Sequence, residues 1–270
     1  MSVLNQYQIY KPSIRLSEIV DHYWTLDGDL SIDKPIVHRT LANFNPELIF
    51  HYGGAFKEIV KNERIENTFV GGLHGQTNMV RRFIYTEPCG IFGIILQPHA
   101  IPVLFNTPSS AVKNQLVDFH DLLGTEGRTI TEMIVNAKNN TERVRIANGL
   151  LESKLKENER PEISFAVQKI YEAKGMIDMK WLVYQSCLSQ RQFERNFKEY
   201  VGFSAKSFMN IVRFKSLIST YKKGGKNLTR LAYDFGYYDQ SHFIKEFRIF
   251  SGYTPGDYFG GQADEVFYAP

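Results

Sequence analysis

Cysteine is nearly absent from this sequence of 270 residues: the two present, Cys89 and Cys187, lie far apart and belong to no CxxC pair. That excludes a disulfide framework and a thiolate zinc site, and it fits a reducing cytoplasm. No run approaches the roughly 18 apolar residues that a membrane span needs, and the opening MSVLNQYQIYKPSIRL lacks a basic flank followed by an apolar core. A soluble, cytoplasmic protein with no membrane partner is expected. Catalytic signatures are missing as well: there is no GxSxG, no phosphate loop of the form GxxxxGKS or GxxxxGKT, no HExxH and no glycine-rich dinucleotide fingerprint. Gly53-Gly54 and the Gly71-Gly72 to Gly75 stretch read as turns, so neither an enzyme nor a cofactor is expected. His38, His51, His74 and His99 contain no His-x-His pair with a downstream acid. They are expected as core or surface histidines, with no metal bound.

Net charge is also small, at +3, but it is unevenly spread. From Arg160 to Phe259 Lys and Arg outnumber Asp and Glu by 16 to 9, whereas from Met1 to Glu159 the acids lead by 18 to 16. A basic C-terminal part is the electrostatic footprint of a polyanion-binding module, although solvated helical domains are often basic too.

Texture changes along the chain with the charge. Between Ile36 and Pro98 the runs ELIFHYGG, NTFVGG, MVRRFIYTE and GIFGIILQP are rich in Val, Ile, Phe and Tyr and punctuated by Gly, Asn and Pro. They predict short strands in a small β-barrel or sandwich. From Pro108 the apolar spacing lengthens to three and four residues, and QLVDFHDLLG and TERVRIANGLLESKLKENE predict flanking helices. In the second, Thr141 is the expected N-cap, and Val144, Ala147, Leu150, Leu151 and Leu155 form a stripe that covers the strands or pairs with a second copy in a homodimer. The polar KENERPE predicts a linker, dividing the chain into residues 1–159 and 160–270. Everything after it predicts helix, including a long segment from Ala205 closed by Gly224 and Gly225. The fold class is therefore α+β, with an all-α C-terminal domain.

Within that domain one pattern occurs twice. SQRQFERNFKEYVGFSA, from Ser189, returns fifty residues later as DQSHFIKEFRIFSGYTP, from Asp239. Phe193 and Phe197, like Phe243 and Phe247, are four apart and share one helical face, which predicts a buried aromatic side and a polar side. Each copy follows a shorter helix with a good N-cap, Asp178 or Asn227, and a tight turn. That is the layout of two helix-turn-helix units joined by a long, stiff helix. The candidate DNA-binding residues are the exposed ones: Gln190, Arg191, Gln192 and Arg195 in the first copy, and Gln240, Ser241, His242 and Lys245 in the second. Gln pairs bidentately with adenine and Arg with guanine, while Ser, His and Lys reach bases or phosphates.

The run LTRLAYDFGYYDQSHFIKEFRIFSGYTPGDYF resembles the second helix-turn-helix of the AraC/XylS family of bacterial transcriptional regulators. The matching features are Leu231-Ala232, Gly236, Tyr237, Gln240-Ser241-His242-Phe243, Phe247, Gly252, Thr254-Pro255 and Tyr258. The first copy departs from that pattern at Val183, at Cys187 in place of the turn glycine, and at Ala205 in place of the proline. Cys187 itself reads as a small buried turn residue, not a redox sensor. The resemblance implies double-stranded DNA as partner, RNA polymerase as a second, and an N-terminal domain that senses a small-molecule effector. Phe44, Phe50, Tyr52, Phe69, Phe83, Tyr85 and Phe92 are aromatics that either line an effector cavity or fill the core. The alternative reading is a small-molecule-binding or enzymatic β-domain whose helical half docks a protein partner.

Overall fold

The computed structural model describes residues 6–28, 36–156, 160–224 and 227–261. The expected boundary at Glu159 lies outside the described residues.

Among the described residues ten strands form two antiparallel sheets. The larger takes β1 (Gln6–Tyr10), β2 (Val20–Gly28), β4 (Glu47–His51), β7 (Gly71–His74), β9 (Cys89–Leu96) and β10 (Leu116–Asp118), in the order β1-β2-β9-β4-β7-β10; the smaller takes β3 (Ile36–Thr40), β5 (Lys57–Ile59), β6 (Ile65–Asn67) and β8 (Arg81–Tyr85), in the order β3-β8-β5-β6. Neither sheet closes on itself, so the barrel alternative gives way to two facing sheets. Alternation along the central strand β9 explains the layering. Ile91 joins Leu26, Ile49, Phe83 and Tyr85 in a cluster between the sheets, while Phe92, Ile94 and Leu96 point to the opposite side and into the main core.

Two expected features are corrected here. Gly71 and Gly72 are not a turn but strand β7, paired with Phe50 and Ile49 of β4. They are glycine because a Cβ at Gly71 would come within 2.8 Å of the Phe50 ring, and one at Gly72 within 2.6 Å of Phe69. The segment QLVDFHDLLG is not all helix. Leu116–Asp118 pairs with β7, and only Phe119–Leu123 is helical, capped by the Asp118 side chain on the His120 N–H at 2.7 Å.

Helices α1 (Ala100–Phe105), α2 (Ser109–Val112), α3 (Phe119–Leu123), α4 (Thr125–Val135) and α5 (Asn140–Lys154) follow, with α3 against β7 and β10 and α4 against β4 of the larger sheet. The N-cap of α5 is Asn139, whose side chain accepts from the Glu142 N–H at 2.9 Å, and not Thr141. Its stripe is used within the chain: Ala147, Leu150 and Leu151 are buried in the main core, with Val144 and Leu155 packed against it.

Among the described residues seven further helices follow: α6 (Pro161–Glu172), α7 (Met179–Gln185), α8 (Gln190–Val201), α9 (Ala205–Lys222), α10 (Leu228–Asp234), α11 (Gln240–Ser251) and α12 (Pro255–Phe259). Proline opens α6 and α12 at the first turn, where its missing N–H leaves no bond unmade. Asp178 and Asn227 cap α7 and α10 as expected, on the N–H groups of Trp181 and Arg230. No helix among the described residues is long and apolar enough to cross a membrane.

Candidate functional site

The two sequence copies are two copies in space. From 190 to 201 and from 240 to 251, exposed and buried positions follow each other in the same order, residue for residue. Each helix starts at a side-chain cap, Ser189 or Asp239, and ends at a left-handed glycine, Gly202 at φ 84° or Gly252 at φ 79°. Each is preceded by a positive-φ turn residue: Gly236 at 72° in the second unit and Cys187 at 54° in the first. Cys187 therefore does occupy the glycine's place, but it is exposed, which corrects the expectation of a buried residue.

All eight candidate DNA-binding side chains are exposed on α8 and α11. They differ in how they are held. Gln192 is turned back onto its own helix, accepting from the Ser189 N–H at 3.1 Å and from the Ser189 hydroxyl at 2.7 Å in a capping box. Gln190 donates to Glu194 at 3.1 Å, and Gln240 donates to the Thr229 hydroxyl of α10 at 2.8 Å. The His242 ring meets Tyr237 edge-on, with centroids 5.6 Å apart. Sequence reasoning passed over Tyr238, which is 89% exposed directly before the cap of α11. A bare aromatic between turn glycine and N-cap was the available signal.

The N-terminal half reaches both units at equivalent places. The Tyr200 carbonyl accepts from the Ser109 hydroxyl at 2.6 Å, and the Val201 carbonyl from the Gln76 amide at 3.2 Å. In the second unit the Phe250 carbonyl accepts from the Ala42 N–H at 2.8 Å, and the Arg39 guanidinium lies 4.1 Å over the Tyr253 ring. The last carbonyls of a helix have no partner within it, so these bonds satisfy groups that would otherwise need water.

A cavity of about 160 Å³ lies between the two sheets. Trp24, Glu47, Ile49 and Ile95 border it from the larger sheet, and His38, Phe83 and Tyr85 from the smaller. Of the seven aromatics considered from sequence, Phe83 and Tyr85 line it; Phe44, Phe50, Phe69 and Phe92 are buried in the core and Tyr52 packs against it. One wall residue comes from elsewhere: Lys215 of α9, whose ammonium donates to Asn43 Oδ1 at 3.0 Å and sits 4.4 Å over the Phe44 ring. Glu47 accepts from the Trp24 indole N–H at 2.5 Å. The indole fits because residue 93 is glycine; a Cβ there would come within 2.1 Å of it. Burial pushes the Glu47 carboxyl up to about 7 and the Lys215 ammonium down to about 8, the second opposed by Asp21 and Glu47 nearby.

Glu47 and Lys215 went unremarked in the sequence. For Lys215 a signal existed: it stands seven residues after Phe208, four after Ile211 and three before Ile218, in register with buried positions. The histidines behave as core residues. Burial lowers His51 and His99 to about 4 and holds His74 well below its usual range, and among the described residues no three metal-ligating side chains converge.

Comparison with known proteins adds the following. Residues 8–118 match a domain of unknown function, DUF6597, and residues 182–260 match the family described as a helix-turn-helix domain. No curated protein sequence matches the chain. Similar solved structures include ToxT from Vibrio cholerae, at 13% identity and a TM-score of 0.47 over 95% of this chain and 98% of that one. They also include unsaturated fatty acid bound wild-type ToxT from Vibrio cholerae strain SCE256, at 12% identity and 0.44 over 96% of each chain. The AraC-like transcriptional activator CuxR is similar at 9% identity and 0.29, over 82% and 88%. The repeated sequence pattern, the paired helices built on it and the helix-turn-helix match fall on one stretch of chain, so residues 182–260 form a helix-turn-helix domain, with a β-rich domain at its N-terminal side.

Proposed function

We propose that the protein reads two neighbouring major-groove segments with α8 and α11, and that a small molecule in the inter-sheet cavity controls how it does so. The observation that supports control is the position of Lys215. It lies on α9, the helix joining the two units, yet its ammonium borders a cavity built by the N-terminal strands. An occupant would touch the connector of the two reading heads directly. At 18 residues α9 is about 27 Å long, given a rise of roughly 1.5 Å per residue, and successive major-groove faces lie roughly 34 Å apart. Base selectivity is assigned to Gln190, Arg191, Gln192 and Arg195 and to Gln240, Ser241, His242 and Lys245, with other Lys and Arg on phosphates.

The reading divides the chain at about residue 159 into a sensing part and a DNA-binding part, and places the protein in the cytoplasm. RNA polymerase is a partner by family resemblance. Self-association belongs to a surface other than the α5 stripe, which is packed inside the chain. The deciding experiment is selection of bound fragments from random duplexes with the full chain. Two half-sites about one helical turn apart are expected, with affinity falling steeply as salt is added. Absence of any enriched sequence would sink the proposal.

A further inference from the structure

The effector reading leaves open what class of molecule the cavity takes, and the wall answers with two charges of opposite sign. Glu47 comes from β4 and Lys215 from α9. Neither is fully satisfied. Of the four acceptor sites on the Glu47 carboxylate, one receives the Trp24 indole; of the three ammonium protons on Lys215, one goes to Asn43. No ion pair within 4.0 Å joins the two. Both are partly buried and both line the cavity. The other charged wall residue, Arg81, is engaged by both carboxylate oxygens of Glu58, at 2.8 and 2.7 Å. Close by, the buried Nε2 of His74 has no hydrogen-bond partner in the protein. Between the charges the wall is aromatic, with Trp24, Phe83 and Tyr85.

Two opposite wall charges sum to zero, so a ligand carrying a single charge leaves one of them facing an uncompensated charge in a dry site. A ligand with a cationic donor at one end and an anionic acceptor at the other satisfies both. The volume sets the size: about 160 Å³ is close to that of a cavity known to hold one benzene ring. Resting on the effector reading, we propose that the cavity binds a small zwitterion of the free α-amino acid class, its ammonium toward Glu47, its carboxylate toward Lys215 and its apolar side chain against Trp24, Phe83 and Tyr85.

The test is calorimetry on the full chain with valine, leucine and phenylalanine. Each is compared with the amine that lacks its carboxylate and the acid that lacks its amine, with a neutral amide and a monosaccharide alongside. At least one amino acid is expected to bind ten-fold or more tightly than its amine and its acid. Glu47→Gln and Lys215→Met, each checked for an intact fold by thermal melting, are expected to lose that ten-fold preference. A lone acid, amine or neutral compound binding as well as the zwitterion overturns the proposal, as does failure of all three amino acids; the panel on the unmodified chain decides this even where a variant fails to fold. Duplex affinity with and without ligand separates this from the effector reading. An amino acid that binds without changing duplex affinity supports the ligand class and sinks control, whereas a lone acid or amine that binds and changes it does the reverse.

Discussion

Tyr200 and Phe250 stand fifty residues apart at the same place in the two repeat copies, and the carbonyl of each is bonded from the N-terminal half, by the Ser109 hydroxyl at 2.6 Å and the Ala42 N–H at 2.8 Å. The ends of α8 and α11 are therefore both tied to the N-terminal half. Gln76 strengthens the first of these anchors, since its wholly buried amide spans the Pro98 and Val201 carbonyls at 3.1 and 3.2 Å. Replacing it by Leu leaves two buried carbonyls without that donor, and a loss of about 1–3 kcal/mol is expected. Ser109→Ala should cost about 1 kcal/mol by the same reasoning. Urea unfolding measures the loss, and hydrogen exchange should quicken at the end of α8 before α11. Unchanged exchange at Tyr200 to Gly202 would show that the anchor does not hold the helix.

How much of this was legible in the sequence follows the range of the forces involved. Caps, turn residues and the aromatic face of each copy depend on neighbours within a few positions, so Asp178, Asn227, Gly236 and Pro255 could be placed before any coordinates. The strands ELIFH and CGIFGIIL showed through their apolar runs. β10 did not, because Leu116–Asp118 gains its partner from β7, more than forty residues earlier. The cap of α5 was misread by two residues because Asn139 and Thr141 are both good caps and only the folded chain chooses. The cavity was invisible for a stronger reason: Glu47 and Lys215 come to its wall from opposite halves of the chain, and nothing local to either announces the other.

Cys187 offers a test of backbone strain. A non-glycine residue at φ 54° costs roughly 1–2 kcal/mol, partly offset by the greater freedom glycine has when unfolded. Because its side chain is exposed, little packing is at stake. Cys187→Gly is expected to raise stability by about 0.5–1 kcal/mol, and Cys187→Val to lower it, since a β-branched residue tolerates this conformation least. Equal stability of the two variants, measured by denaturant midpoint, would contradict the turn geometry.

Glu47 makes the pH dependence of folding specific. Its folded value, about 7, lies above the ordinary 4.5, so the folded state holds the proton more tightly. Its contribution is fully present below 4.5 and is lost as pH rises through about 7. Lys215, lowered to about 8 from 10.5, runs the other way, and its burial costs most below 8 and is relieved above it. Between pH 5 and 7.5 the parent should therefore lose on the order of 2 kcal/mol relative to Glu47→Gln. His51 and His99, both lowered to about 4, favour folding as pH rises through the same range, but they do so in both proteins and cancel in the difference. Parallel stability curves for parent and variant would place Glu47 in contact with bulk water.

The two faces proposed to read DNA should separate in their response to substitution. Gln240 is held by Thr229 at 2.8 Å, which pre-sets its amide at the start of α11. Thr229→Val removes that hydroxyl while keeping the shape, so selectivity at one base position should relax while non-specific affinity stays the same. Arg191 and Arg195 make no ion pair among the described residues and are exposed on α8. If they read guanine, each alanine replacement should cost about 1–3 kcal/mol at one base position. If they lie on phosphates, the loss should be uniform across sequences, and the slope of log affinity against log salt should shrink by about one per residue. Lys245, on the same side of α11 one turn beyond Ser241, is expected to give the phosphate outcome. Parallel measurement of Lys245→Ala and Arg195→Ala on one selected duplex and one scrambled duplex distinguishes the two. A base-specific loss at Arg195 beside a uniform loss at Lys245 would locate this protein's own sequence preference in its first copy, the one that departs from the family pattern at its turn.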